Sequence, residues 1–252
     1  MARGPLAIGL LTDRRGEGAS GTSLLPDHLA RAYRAKLARP GTTAALTLGS
    51  FLPWLEHGST LPLAGIVGFK ELHFDARCPT GVRGTPPVID FMATGSGGVA
   101  GACACVFDYL VRRPRAITPA YRTLELSAGL RAWSVHLGPE GDRRHAFRHV
   151  DAAALAKLAI GLGRTFSGRP VRLLYLFLEP LAGAELPCFR RHRQELAELV
   201  ESTAGGDVLL VPMSFHELWA TWQGDTTPPA VRGIVAELSR RYGVAMAGSA
   251  GL

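Results

Sequence analysis

Three strand-like segments between residues 70 and 110 constrain the fold of this chain more than any other feature. The first, KELHFDARC, alternates apolar and polar side chains, so that Leu72, Phe74, Ala76 and Cys78 share one side of a strand. PVIDFMAT follows a Gly-Thr-Pro-Pro turn, and GVAGACACVF follows a Gly-Ser-Gly-Gly turn. Turns of this composition join neighbouring antiparallel strands. The sequence therefore predicts a three-stranded meander.

Helical patterns flank this meander on both sides. LPDHLARAYRAKLARPG places Leu29, Tyr33 and Leu37 on one helical face, with Pro40-Gly41 as its stop signal, and residues 42–68 read as short helix and loop. After the meander come an Ala/Leu helix at 150–166 and the almost entirely apolar strand VRLLYLFLEP, typical of a strand buried on both faces. The helix of CFRRHRQELAELVES, the strand DVLLVPM, the helix SFHELWATW and a last amphipathic helix complete the chain. This order predicts an α/β fold with a mixed sheet flanked by helices.

Composition indicates one globular domain. Apolar residues make up 47% and charged residues 19% of the 252 residues, values that suit a chain with a substantial core. Residues 1–25 are rich in Gly and Ser and predict a flexible leader, which leaves 26–252 as a single domain. No apolar run reaches the roughly 18 residues that a membrane span needs, and the N-terminus lacks a signal-peptide pattern. We therefore expect no membrane contact and a cytoplasmic location.

The charge balance suits an anionic partner such as DNA or RNA. The formal net charge is +7, and only three of the 28 basic residues are lysines, so arginine carries almost all of the positive charge. The planar arginine fork pairs well with phosphate, although a GC-rich genome would also enrich arginine. The basic residues form three groups: Arg77 with Arg83; Arg112, Arg113 and Arg115; and Arg190, Arg191 and Arg193 around His192. Arg83 and the group at 112–115 are the candidate phosphate contacts, and a solvated surface is the competing interpretation.

The meander and the elements after it resemble the PD-(D/E)XK nuclease superfamily, in particular a bacterial restriction-endonuclease-like family. The resemblance covers most of residues 70–242. Its landmarks are the Gly-Thr-Pro-Pro turn before Asp90, residues 107–110, residues 151–165, the LLYLFLEP strand, residues 189–193 and residues 214–222. It implies a restriction-endonuclease-like mixed sheet with an α-β-β-β-α-β core.

The resemblance also indicates where a catalytic site would lie. Active members hold Mg²⁺ between an acid on the second strand and a Glu or Asp two residues before a Lys on the third strand, because hard oxygen ligands suit this cation. Asp90 occupies the position of the first acid and is the candidate metal ligand. The third strand has Cys103 and Cys105 where the carboxylate and the lysine are expected. We therefore expect a degenerate site with no cofactor, or Mg²⁺ if any hydrolysis remains.

A relocated catalytic site is the first alternative. Lys157 lies on the helix expected to border the site, one turn after Ala154, which replaces a glutamine that family members often carry. Lys157 could supply the missing amine, and Asp75 or Asp108 could supply the missing carboxylate. In that case the protein is an active Mg²⁺-dependent endonuclease.

The cysteines suggest a second alternative. Cys103 and Cys105 alternate on one strand face, and together with Cys78 or His73 they could bind Zn²⁺ in a tetrahedral site. Small core side chains are the commoner role of such cysteines, and a redox function is a further option. Cys188 lies near a helix start, where the helix dipole favours a thiolate.

The leading hypothesis is a nuclease-fold protein that has lost hydrolysis. It retains nucleic-acid binding through an arginine-rich face, or it has a structural role with a second copy or another protein. The four tryptophans, Trp54, Trp133, Trp219 and Trp222, are expected to be core anchors.

Overall fold

The computed structural model describes residues 33, 35–37, 39, 41–110, 118–138, 147–181 and 183–247, with 108, 184 and 244–247 described by their backbone alone. The strands in this part of the chain are β1 Phe69–Arg77, β2 Val88–Gly95, β3 Gly98–Cys105, β4 Val171–Phe177 and β5 Val208–Ser214.

These strands form a mixed sheet in the order β1-β2-β3-β4-β5. The predicted meander is present, since β1 pairs antiparallel with β2 and β2 with β3. The chain then crosses over through a helix, so β4 pairs parallel with β3, and β5 pairs parallel with β4. Strand β4 is buried along almost its whole length, as its apolar sequence predicts.

Helices cover both faces of this sheet. They are α1 Thr43–Phe51, α2 Arg131–Ser134, α3 Ala152–Thr165, α4 Pro187–Ser202, α5 Phe215–Thr221 and α6 Pro229–Ala247. Tyr33 and residues 35–37 are also helical, as the sequence predicts. Short 3₁₀ turns lie at Leu52–Trp54, Gly58–Thr60, Asp108–Leu110, Pro119–Tyr121, Ala128–Leu130, Val135–Leu137 and Gly183–Glu185.

Several helices begin at side chains that bind their free backbone N–H groups. Thr42 accepts a hydrogen bond from the N–H of Ala45 at the start of α1, and Asp151 accepts one from Ala154 at the start of α3. A capping box of Ser214 and Glu217 begins α5 directly after β5. The starts of these three helices are therefore specified by local sequence.

The buried side chains of the described residues form two clusters, one on each face of the sheet. On β3, Ala100, Ala102 and Ala104 belong to the first cluster, which includes side chains of α1, α5 and α6. Val99 belongs to the second cluster, which Cys103 and Cys105 border and which includes side chains of α3 and α4. The four tryptophans are 0% exposed, which confirms that they are core residues.

Glu195 of α4 connects the second face to the segment before α3. Its side chain is 0% exposed and accepts hydrogen bonds from the backbone N–H groups of Arg148 (2.9 Å), His149 (2.7 Å) and Val150 (3.1 Å). Arg191 donates to the same carboxylate at 3.1 Å. One buried carboxylate therefore satisfies three consecutive backbone donors in a segment without regular structure.

The fold is thus α/β, with a five-stranded mixed sheet between helices in the described residues, as the sequence predicts in coarse outline. None of the described helices is both long enough and apolar enough to cross a bilayer.

Candidate functional site

The two cysteines of β3 face the second cluster. Cys103 and Cys105 pack against it, while the alanines that alternate with them, Ala102 and Ala104, belong to the first. The Cys105 thiol donates to the hydroxyl of Tyr175 on β4, with 3.0 Å between sulfur and oxygen.

Near Asp90, the regular alternation of side chains between the two faces of the sheet is interrupted on both β1 and β2. Phe91 belongs to the first cluster and Ile89 to the second, so side chains two residues apart lie on opposite faces. Phe74 contacts the first cluster and Ala76 the second, so β1 makes the same change. The residue between them, Asp75, has a φ of 53°, which breaks the regular alternation.

Asp90 therefore contacts the backbone of β3, whereas Cys103 and Cys105 border the second cluster. One Asp90 oxygen accepts the backbone N–H of Ala104 at 2.8 Å, next to the last β2–β3 pair. Asp90 also lines a cavity of about 20 Å³ beside α1, on the face opposite the cysteines. The strands are predictable from the sequence, whereas the change of face at Asp75 and Asp90 is not.

This cavity brings together two carboxylates and an amine. Asp75 lies across from Asp90, since its neighbours Phe74 and Ala76 pair with Phe91 and Ile89. The Lys36 ammonium lies 2.5 Å from an Asp75 oxygen, and all three polar residues line the cavity. Asp75 was a sequence candidate for a second acid, whereas Lys36 was missed. The scarcity of lysine in this chain was a signal that could have drawn attention to it.

Lys157, the predicted replacement lysine, is held elsewhere. It lies on α3, on the second face, with its ammonium 5.0 Å from the centre of the Tyr121 ring. The Tyr121 hydroxyl lies 3.1 Å from the Thr80 hydroxyl oxygen in the loop between β1 and β2. Lys157 therefore forms a cation–π contact with a neighbouring segment, and the amine at the Asp90 cavity belongs to Lys36.

The expected zinc ligands do not gather in the described part of the chain. There, no group of three or more His, Cys, Asp or Glu side chains has metal-binding geometry. Cys78 is buried against Gly161 of α3, and burial raises the pKa of its thiol to about 11. His73 is on the edge strand β1, 3.4 Å from Glu71. The zinc hypothesis therefore loses both of its proposed additional ligands.

Cys105 belongs to a buried hydrogen-bonded series. The Tyr175 hydroxyl that accepts from Cys105 lies 3.2 Å from Nε2 of His192, which stacks on Tyr109 at 4.1 Å. Burial, with smaller contributions from the charges of His149 and Arg193, lowers the pKa of His192 to about 3. So weak a base does not draw a proton from the thiol near neutral pH. This geometry therefore favours a packed thiol over an activated nucleophile.

Residues of the basic run at 190–193 bind or pack against other groups of the same chain. Arg193 donates through Nε to both carboxylate oxygens of Glu179 at 3.1 Å and through Nη2 to Glu217 at 3.1 Å. His192 is 0% exposed. Arg193 and His192 are therefore occupied by acidic or buried groups of the same chain, and they are not among the candidate phosphate contacts.

Another set of cations lies on three segments that contact one another. Arg164 of α3 donates to the backbone oxygens of Thr80 and Glu125, which ties the β1–β2 loop and the segment at 118–126 to this helix. We use the term basic cluster for Arg83 in that loop, Arg122 in that segment, and Lys157 and Arg164 on α3. None of these four forms an ion pair with a described acidic residue. Of the sequence candidates, Arg83 and Lys157 are thus on one surface.

Arg112, Arg113 and Arg115 lie outside the described residues, as does the side chain of Asp108. Ala154, the counterpart of the family glutamine, donates its backbone N–H to Asp151 in the first turn of α3.

Gly81 is required by the packing of the basic cluster. Its φ is +83°, and a Cβ there would lie 2.1 Å from Nη1 of Arg164. We expect Gly81→Ala to lower the free energy of unfolding by about 1–2 kcal/mol, because it combines a strained backbone with a displaced guanidinium. Chemical denaturation measures this. Gly168→Ala is the matched control, because Gly168 has a φ of +78° and open space around it. Equal losses in the two variants would show that the Arg164 contact contributes nothing.

No protein-family model, curated protein or solved structure matches this chain.

Proposed function

We propose that this protein has a restriction-endonuclease-like fold, binds nucleic acid and does not hydrolyse it. The order of elements supports the fold assignment: an antiparallel meander, the crossover helix α3 and a parallel strand β4 beside β3, with further helices on both faces. This is the α-β-β-β-α-β order that the sequence resemblance implies.

The composition of β3 is the observation that carries the loss of hydrolysis. Gly98–Cys105 reads GVAGACAC, and neither face of this strand presents a carboxylate or an amine. Mg²⁺ requires an octahedral oxygen shell that is anchored by carboxylates and substrate phosphate. Sulfur and methyl groups supply neither these ligands nor a positive charge for the developing negative charge at phosphorus.

The basic cluster supports nucleic-acid binding. Its four cations come from three different segments, and contacts of Tyr121 and Arg164 with Thr80 hold these segments together. A formal net charge of +7 adds a long-range attraction for polyanions. Contacts of this kind recognise phosphate and not base sequence, so we expect salt-dependent binding with little sequence preference.

Salt-dependent binding tests this proposal. We compare the triple variant Arg83→Ala, Arg122→Ala, Lys157→Ala with the wild type on a labelled duplex by fluorescence anisotropy between 50 and 200 mM salt, a range over which phosphate contacts weaken strongly. We expect more than tenfold weaker binding and a salt slope smaller by about 2–3, since each lost phosphate contact removes about 0.9.

The control removes the same charge elsewhere. The triple variant Lys70→Ala, Arg232→Ala, Arg240→Ala lacks three cations of β1 and α6 that lie outside the basic cluster. We expect it to keep most of the wild-type affinity. Equal losses of affinity in both triple variants would show that binding depends only on net charge and not on the basic cluster. No binding at low salt would overturn the proposal.

Cleavage assays test the loss of hydrolysis. Supercoiled plasmid and single-stranded oligonucleotides are incubated with the protein and Mg²⁺ or Mn²⁺. We expect no turnover above that of the Asp90→Ala variant. Turnover that Asp90→Ala abolishes would overturn the inactive assignment.

One observation favours active hydrolysis as a second candidate function. Asp75, Asp90 and Lys36 line one cavity, where Asp75 and Lys36 provide the carboxylate and the amine that β3 lacks beside Asp90. If this cavity is a relocated active site, Lys36→Ala and Asp90→Ala each abolish cleavage while Lys157→Ala does not. Loss of cleavage with Lys157→Ala alone would instead assign the amine to α3.

A further inference from the structure

We propose that the basic cluster binds single-stranded nucleic acid, with one unpaired base stacked on the Tyr121 ring. This inference rests on the proposed nucleic-acid binding and names the form of nucleic acid bound. Tyr121 is partly exposed and packs against the second hydrophobic cluster. The Lys157 ammonium lies 5.0 Å from its ring centre. An aromatic ring beside several cations is the combination that single-strand-binding surfaces use.

The ring is held in place before any ligand binds. The Tyr121 hydroxyl lies 3.1 Å from the Thr80 hydroxyl oxygen, and Thr80 is only 2% exposed. Arg164 donates to the Thr80 backbone oxygen at 2.9 Å and also to that of Glu125. These bonds fix the loop and the segment that carry the ring, so stacking a base orders little additional chain.

Replacement of the Lys157 ammonium on the Tyr121 ring by a nucleic-acid base is favourable. A lysine–aromatic contact at a partly exposed site is weaker than the stacking of a nucleic-acid base on an aromatic ring. When a base covers the ring, Lys157 is free to move to an adjacent phosphate, where it neutralises a full negative charge. A duplex keeps its bases stacked and paired, and exposing one requires unstacking it. The ring therefore favours strands whose bases are already unpaired.

Helix α3 provides a second phosphate contact along the strand. Lys157 and Arg164 are seven residues apart and lie on the same side of the helix, about 10 Å apart along its axis. Arg164 uses two of its donor groups for the carbonyls of Thr80 and Glu125, and a guanidinium has five N–H donors in all. A backbone that passes along α3 can thus contact both cations while one base covers Tyr121.

Binding of short probes tests this inference. The full-length protein is titrated at low salt against labelled dT12, rU12 and a 12-base-pair duplex. We expect both single strands to bind at least tenfold tighter than the duplex, and the tighter of the two identifies the preferred sugar. Tyr121→Leu should weaken single-strand binding about tenfold and leave duplex binding unchanged.

Two control variants distinguish loss of the Tyr121 ring from a general loss of structure. Tyr121→Phe retains the ring and loses only the hydroxyl contact with Thr80, so it should bind single strands nearly as the wild type does. Phe166→Leu removes another partly buried ring with a cation nearby, Arg169 at 5.7 Å, and should change nothing. Circular dichroism shows whether each variant is folded.

The outcomes separate this inference from the proposed function. Equal or tighter binding of the duplex, or single-strand binding that is insensitive to Tyr121→Leu, overturns the stacking inference and leaves phosphate binding intact. If none of the three probes binds at low salt, the proposed function itself fails.

Discussion

Replacing Glu195 with alanine is expected to lower the free energy of unfolding by about 3–5 kcal/mol, the largest loss we expect from a single substitution in α4. The substitution leaves the backbone N–H groups of Arg148, His149 and Val150 without their acceptor, and the bonds of His149 and Val150 are buried. It also removes the acidic partner of Arg191. Urea denaturation at neutral pH measures the loss.

Two further variants show which part of Glu195 matters. Glu195→Gln keeps one acceptor oxygen but turns an amide group towards backbone donors, so we expect a loss smaller than that of the alanine variant. Glu198→Ala removes an exposed carboxylate one turn later on the same helix and should change stability by less than about 0.5 kcal/mol. Similar losses in Glu195→Ala and Glu198→Ala would contradict the anchoring role of Glu195.

Acid is expected to destabilise the folded protein through His192. Burial lowers the pKa of this histidine to about 3 in the folded chain, against 6.5 for an unperturbed histidine. Between these values the unfolded chain binds a proton that the folded chain does not, so stability falls as the pH falls. Above pH 6.5 His192 is mainly neutral in both states, so its titration no longer lowers the free energy of unfolding. Between pH 7 and pH 5 the free energy of unfolding falls by about 2 kcal/mol, since one pKa unit corresponds to about 1.4 kcal/mol.

His192→Phe isolates this effect. Phenylalanine cannot titrate and can still stack on Tyr109, although it no longer bonds to the Tyr175 hydroxyl. We expect this variant to be less stable than the wild type at pH 7 and less sensitive to acid, measured by urea denaturation at pH 7, 6 and 5. His73→Gln replaces an exposed histidine and should retain the wild-type pH dependence. The explanation fails if His192→Phe retains the full pH dependence.

Local patterns predicted most of the sheet. Alternating side chains and turn residues predicted the meander. The apolar run of β4 predicted a central strand, because a strand that is buried on both faces is apolar at nearly every position. Strand β3 was different. Its residues are small on both faces, so no difference in size or polarity indicated which cluster Cys103 and Cys105 would face.

The candidate sites depend on contacts that sequence spacing does not encode. Lys36 meets Asp75 across 39 residues, and Tyr121 meets Thr80 across 41. The positive φ of Asp75 left no clear signal either, since aspartate adopts this conformation only occasionally. For the basic run at 190–193 the sequence left phosphate contact and a solvated surface open, and Arg193 instead binds Glu179 where a strand end and a helix meet. The sequence showed which residues are charged, but it did not show which groups these residues bind.

The parallel pairing of β3 with β4 has a consequence for how the chain reaches its final structure. The meander can assemble from neighbours in sequence, whereas β4 begins at Val171 and must find Cys105 and the residues before it across the whole crossover. Closing such a long loop precedes the contacts that compensate for its entropy. During synthesis, the edge of β3 therefore stays unpaired until residue 177 has left the ribosome, and over that interval it is open to mispairing with other strands.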